Sequence, residues 1–229
     1  PSPLRVLIAG AGIGGLSMAI ALGRRGIQAH LVERSASWDV YGVGIILQSN
    51  AIRALDALGL SDACVAEGFP YSVSTHCDAA GVPFRDRPKP NVGNPRLPSS
   101  CGIQRRSLHR ILSAEALRLG ARVDLGVSVA SMSQSPEAVD VTLSDGRSGR
   151  YDLLVAADGA ASATRRQLFG DQIKPAFTGQ GCWRFSAARM PEVDRAIFQH
   201  GEHVLARDQA GFDPVSRRAR LHEAEGGLD

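Results

Sequence analysis

The chain has 229 residues, of which 44% are apolar and 21% charged, and a formal net charge of +3. That length allows one large domain or two small ones, with a sizeable buried core. The small charge and the lack of a basic stripe interleaved with aromatics argue against nucleic acid as a partner, and no apolar run approaches the roughly 18 residues that span a bilayer.

Cys64, Cys77, Cys101 and Cys182 lie far apart. They show neither Cys-x-x-Cys metal spacing nor the density of a disulfide framework, so reduced, mostly buried thiols in a cytoplasmic protein are expected. The opening residues lack the charged, apolar and small-residue sections of a secretory signal. His200 and His203 flank Glu202, but no third ligand lies near in sequence, and no metal site is expected.

In chain order, LRVLIA (4–9) reads as a short buried strand. Small and apolar residues from Ile13 to Arg25 follow at helical spacing, and QAHLVE (28–33) forms a second strand, completing a β-α-β unit. Ser49 and Asn50 are candidate caps for a helix carrying Ile52, Leu55 and Leu58 on one face and ending at Gly59. Residues 71–86 hold two β-prone runs around an Asp78-to-Gly81 turn. The Pro-rich stretch 85–100 reads as a loop or linker. Helical spacing resumes at Leu108, Ile111, Leu112 and Leu117. Strand-like runs come at 121–125, 127–132 and 138–143, then a turn at 144–147 and a very apolar strand at 152–157. The stretch from Arg207 onward has few large apolar residues to support a core.

Gly10, Gly12 and Gly15 fit Gly-x-Gly-x-x-Gly between the first strand and its helix. The first glycine permits the tight turn, the second lets backbone approach a pyrophosphate, and the third lets helix and strand touch. The helix start adds unpaired N–H groups and a partial positive charge. Glu33 ends the second strand, where a carboxylate accepts hydrogen bonds from adenosine ribose hydroxyls and repels a 2′-phosphate. Arg34 beside it suits such a phosphate, but the acid comes first, which disfavours NADP. FAD and NAD remain, because both present the same ADP half.

Residues 152–165, DLLVAADGAASATR, run from an apolar strand into Asp158-Gly159, then small residues, then Arg165. Here the chain resembles the FAD-dependent aromatic-ring hydroxylases, single-component flavoprotein monooxygenases of the p-hydroxybenzoate and salicylate hydroxylase type. Their second motif is a strand ending in Asp-Gly, with a Ser and an Arg shortly after, and Asp158, Gly159, Ser162 and Arg165 match it. GVGIILQSNAIRALDALGL (42–60) resembles the family's glycine-flanked segment that lines the flavin ring. IQRRSLHRIL (103–112) resembles a pattern in which an arginine before a helix contacts the cofactor; aligning on Leu-His makes it Arg105, with Arg106 a close rival. FTGQGCWRF (177–185) resembles Tyr-x-Gly-x-x-x-Trp-Arg at the start of the family's substrate-domain sheet, with Phe177 in place of the tyrosine.

The resemblance implies an α/β fold: a Rossmann-like FAD-binding domain, β-α-β with a three-stranded β-meander, plus part of a β-rich substrate domain. Residues 1–70 and 101–172 would form the first, and 71–100 and 173–229 the second, with the tail after about 207 drifting from the family pattern. It implies FAD held by Gly10, Gly12, Gly15, Glu33, Arg34, Arg105 and Asp158, with NADH or NADPH as a transient co-substrate. The reaction it implies is hydroxylation of a small phenol or hydroxybenzoate-like substrate by O2 through a flavin hydroperoxide. A homodimer is among the assemblies it leaves open.

Two departures qualify it. Where some relatives carry a histidine base, this chain has Ile46, so no catalytic base is assigned. His76 and Tyr71 are substitutes less favoured than their reading as ordinary sheet residues. The family's third motif, Gly-Asp-Ala-Ala-His, is absent, and Gly170-Asp171 reads as a turn at a helix end. The expectation is therefore a fragment or truncated product. A non-catalytic FAD-binding remnant stands as the first alternative, and an NAD-linked dehydrogenase as the second.

Overall fold

The computed structural model describes residues 3–38, 43–179 and 193–200. The chain divides into two compact units, Pro1–Pro70 with Pro90–Ala176, and Tyr71–Lys89 with Phe177–Asp229.

The first unit opens with β1 (Val6–Ala9), α1 (Ile13–Gly23) and β2 (Ala29–Glu33), followed by β3 (Gly44–Gln48), α2 (Ser49–Ala57), α3 (Ser61–Glu67) and β4 (Phe69–Tyr71) at its boundary. The second unit contributes β5 (Val73–Cys77) and β6 (Pro83–Pro88). The chain then returns through β7 (Ser100–Gln104), α4 (Arg105–Arg118), β8 (Arg122–Leu125), β9 (Val129–Gln134), β10 (Val139–Leu143), β11 (Ser148–Tyr151), β12 (Leu153–Ala156) and α5 (Ala163–Phe169), with β13 (Ala196–Gln199) in the second unit.

β1 lies inside a four-stranded parallel sheet of order β12-β1-β2-β8. Both its faces are covered, so all four residues, VLIA, are buried. Because successive side chains alternate, Val6 and Ile8 join a core with Leu16 and Ile20 of α1 and Leu108 and Leu112 of α4. Leu7 and Ala9 join a second core with Val32, Val129, Val141 and Leu143. That second core is roofed by the antiparallel meander β11-β10-β9. The result is three layers: helices, parallel sheet and meander.

A polar network ties the meander to the sheet at the N-terminal end of the strands. His30 Nε2 lies 3.1 Å from Asp124 Oδ2 and its Nδ1 3.3 Å from the Tyr151 hydroxyl. Arg122 and Arg147 reach the same Asp124 oxygen at 3.0 and 2.7 Å. Burial pushes the Asp124 carboxyl up, but the bonds from Arg122, Arg147 and His30 together outweigh it and bring it down to about 2. Burial also lowers His30. A neutral imidazole with its hydrogen on Nε2 donates to Asp124 and accepts from Tyr151.

In the second unit, β5 pairs with antiparallel β6 and parallel β13. The Asp78 carboxylate closes the β5–β6 turn by accepting from the Ala80 and Val82 N–H groups, each at 2.9 Å.

Several expectations need correction. Strand β6 runs on to Pro88 instead of giving way to a linker at 85; it occupies a sheet edge, where proline's missing N–H breaks no ladder. Ser49 does not cap α2. Its hydroxyl instead lies 3.2 Å from Asn91 Oδ1 and accepts from the Val92 N–H at 2.7 Å, pinning the Pro-rich loop. The very apolar run at 152–157, whose composition suits a buried strand, forms β12 at a sheet edge with Leu153 49% exposed. The strand β11 and the helix α3 had no counterpart in the sequence reading.

Candidate cofactor site

The glycine turn sits at the C-terminal ends of β1, β2 and β12. The Gly10 N–H donates to the Val32 carbonyl and the Ala157 N–H to the Ala9 carbonyl, both at 2.8 Å. Gly10 has φ +101°, and a Cβ there would lie 2.5 Å from the Ala157 carbonyl oxygen. At Gly15 a Cβ would lie 1.8 Å from the Gly10 carbonyl oxygen. The fold itself therefore requires glycine at both positions. Gly12 differs. Its φ of −79° suits any residue, and a Cβ there would meet nothing within 4 Å. Gly12 leaves open backbone at the α1 N-terminus, where N–H groups lack intrahelical partners.

A cleft of about 410 Å³ opens beside this turn, lined by Gly10, Gly12, Glu33, Arg34, Asp158 and Thr164 among others. Five of the seven candidate cofactor residues thus meet at one place. Gly15 lies beneath the turn, and Arg105 is not among the cleft's lining residues.

Glu33 does more than face the cleft. Its Oε2 accepts from the Ala11 N–H and its Oε1 from the Ser35 N–H, each at 3.0 Å. Asp158 is held by its own loop: one carboxylate oxygen accepts from the Ser162 hydroxyl, the other from the Thr164 N–H and hydroxyl at 3.0 Å. Burial pushes the Asp158 carboxyl up, but these bonds outweigh it and leave it below the usual range. Ser162 in turn caps α5, accepting from the Arg165 N–H at 2.8 Å. The Asp-Gly, Ser and Arg positions therefore form one hydrogen-bonded unit.

Arg105 begins α4, and its Nε is buried without a hydrogen-bond partner among the described residues, as is the Nε of Arg165. Arg106 is exposed. A buried, unpaired guanidinium nitrogen is costly in isolation, and an anionic ligand group would satisfy it. This distinguishes Arg105 from its rival. The open backbone at Gly12 and the helix start, both at the cleft, fit a dinucleotide with a pyrophosphate.

One residue escaped the sequence reading. His109, on α4, is 6% exposed, and its Nε2 lies 3.1 Å from the Ala11 carbonyl oxygen inside the glycine turn. The Leu-His pair was visible only as an alignment anchor; its contact across the fold was not.

The remaining candidates are more scattered. Ile46, on β3, is 52% exposed and carries no ionisable group. Tyr71 is buried. In the second unit, His76 Nδ1 lies 2.8 Å from His200 Nε2, and its ring stacks on Phe198 at 5.1 Å. Gly170-Asp171 forms a short 3-10 turn directly after α5. Cys64, Cys77 and Cys101 are free thiols, all buried; Cys182 lies outside the described residues, as do Trp183, Arg184 and His203. Among the described residues no cluster could hold a metal ion, and no helix is long and apolar enough to cross a membrane.

Comparison with known proteins agrees with this geometry. The chain is 36% identical over 185 residues to the aurachin C monooxygenase/isomerase of Stigmatella aurantiaca, covering 79% of this chain and 46% of that protein. It is 33% identical over 196 residues to 3-hydroxybenzoate 6-hydroxylase 1 of Aquipseudomonas alcaligenes, covering 82% and 48%. Among solved structures, the tetrameric form of 2-methyl-3-hydroxypyridine-5-carboxylic acid oxygenase superposes with a TM-score of 0.64 at 27% identity, covering 74% of this chain and 43% of that one. The chain spans about half the length of these relatives, which are named as a monooxygenase/isomerase, a hydroxylase and an oxygenase. The family of FAD binding domains matches residues 3–189. With its glycine turn, acidic strand end and Asp-Gly loop converging on one cleft, the chain belongs to that FAD binding domain family.

Proposed function

We propose that the chain forms the cofactor-holding part of an FAD-dependent monooxygenase that hydroxylates a small phenol or hydroxybenzoate-like aromatic. The observation that carries this reading is Gly12: neither its dihedrals nor its protein surroundings require glycine, yet its backbone opens onto the cleft. A close-lying pyrophosphate supplies the missing reason. The names of the relatives support the aromatic substrate class.

On this reading, Gly10 and Gly15 shape the turn, and Gly12 with the α1 N-terminus offers N–H groups and partial positive charge to the pyrophosphate. Glu33 accepts from the adenosine ribose hydroxyls through the lone pairs that Ala11 and Ser35 leave available, and Arg34 flanks it at the rim. Arg105 turns its unpaired nitrogen to an anionic or carbonyl group of the cofactor. Asp158, kept ionised by Ser162 and Thr164, holds the Asp-Gly loop against the cleft. When bound, FAD supplies electron transfer from NADH or NADPH to O2 and delivery of one oxygen atom to the ring. Tyr71–Lys89 and the residues after Ala176 contribute to the substrate side. Buried free thiols support a cytoplasmic setting, and a homodimer is one assembly that this reading leaves open.

The test is direct. The purified protein is expected to carry a yellow cofactor absorbing at the flavin bands, and to consume NADH or NADPH faster when phenols or hydroxybenzoates are added. Nicotinamide binding without flavin would support a dehydrogenase instead. Flavin bound with no stimulated consumption across the panel would reduce the chain to an FAD-binding domain without turnover of its own.

A further inference from the structure

Ala11, between the first two glycines of the turn, is gripped at both ends. Its N–H donates to Glu33 Oε2 at 3.0 Å, and its carbonyl oxygen lies 3.1 Å from His109 Nε2. A carbonyl can only accept, so the hydrogen sits on Nε2. The imidazole is buried, and its ring meets Trp38 edge-on at 5.5 Å and 73°, which fixes its orientation. The two grips come from different elements, β2 and α4, and close on one residue.

The consequence lies one atom further along. In a planar trans peptide, a carbonyl and the following N–H point in opposite directions. With the Ala11 carbonyl turned toward α4, the Gly12 N–H is turned away from α4. Gly12 lines the cleft, no α4 residue does, and the Gly12 N–H makes no hydrogen bond among the described residues.

We propose that His109 is a positioning residue for the cofactor's pyrophosphate: by holding the Ala11 carbonyl it aims the Gly12 N–H into the cleft. The proposal rests on the reading that this turn binds FAD. Without the imidazole, the 11–12 peptide is free to flip, and the donor at Gly12, the member of the Gly10, Gly12 and Gly15 motif that the fold itself does not require, is lost from the cleft.

The test compares His109→Gln with His109→Asn, two polar replacements of different reach. A glutamine amide nitrogen falls near the position of Nε2 and can donate to Ala11; an asparagine amide nitrogen falls near Nδ1 and cannot. Binding of FAD, ADP and adenosine is measured by calorimetry or NMR titration, beside the ligand-free melting temperature. For one lost hydrogen bond to a charged group, the Asn variant is expected to bind FAD and ADP about tenfold more weakly, and adenosine less than about twofold more weakly. The Gln variant is expected to stay within about threefold of the wild type for all three. A general loosening of the fold would weaken adenosine and ADP alike, and that result overturns the proposal. So does equal FAD affinity in the Gln and Asn variants. A wild-type protein that binds neither FAD nor ADP overturns the underlying reading of the turn, and the proposal with it.

Discussion

At Gly10 and Gly15 a methyl group would strike backbone oxygens 2.5 and 1.8 Å away, whereas at Gly12 it would meet no protein atom within 4 Å. The three glycines should therefore separate by experiment. Gly10→Ala is expected to cost about 1–3 kcal/mol of stability through its positive φ, and Gly15→Ala at least as much through overpacking, both read from denaturant unfolding. Gly12→Ala should leave the unfolding midpoint nearly unchanged while weakening FAD binding. Equal losses of stability at all three positions would mean that Gly12 serves the fold and not a ligand. Glu33→Ala removes a charged acceptor from the ribose and a partner from Ala11, so FAD affinity should fall by roughly ten- to a hundredfold in a titration. Unchanged affinity would put the ribose elsewhere.

Among the elements, the loop from Asp158 to α5 behaves as one piece because Ser162 works in two directions. Its hydroxyl donates to Asp158 and accepts from the Arg165 N–H. Ser162→Ala should cost about 1 kcal/mol as a lost helix cap, and more if the freed Asp158 also shifts. Thermal melting of the variant, followed by FAD titration, separates the two contributions. The Asp-Gly, Ser and Arg positions were legible in sequence as a motif, because their spacing is local. That Thr164 supplies two further donors to Asp158 was not legible, since a threonine in a short helix carries no signal until the loop closes on it. The exposed setting of β12 was equally invisible. Its apolar run states that the strand is compatible with burial, while its place at the sheet edge is set by strand order.

For the whole molecule, the junction between parallel sheet and meander depends on Asp124, which serves His30, Arg122 and Arg147 at once. Its carboxyl is lowered to about 2 in the folded protein, against about 3.9 in an unfolded chain. The sign follows from linkage. This contribution to stability is present in full above the unfolded value and is lost as pH falls toward the folded one. An acid unfolding series should therefore decline between these two values, and Asp124→Asn should flatten that decline. The same substitution is expected to cost about 1–3 kcal/mol at neutral pH by leaving arginine and histidine donors underpaired. A variant with wild-type stability and an unchanged acid profile would remove this network from the account of the fold.

What the sequence determined by itself is what short spacing encodes: the β-α-β unit, the glycine turn at its crossover, the acid at the end of the second strand and the Asp-Gly segment. Each is written within a few residues, and each depends on backbone geometry that the chain cannot evade. Only the tertiary structure decided which of these meet. Parallel pairing of β12 with β1 brings Asp158 to the same cleft as Gly12 and Glu33. Packing of α4 on the sheet brings His109 to the carbonyl of Ala11, a contact between residues 98 positions apart. Such contacts depend on strand order and helix docking, which many side chains settle together through burial. No local run of sequence records them.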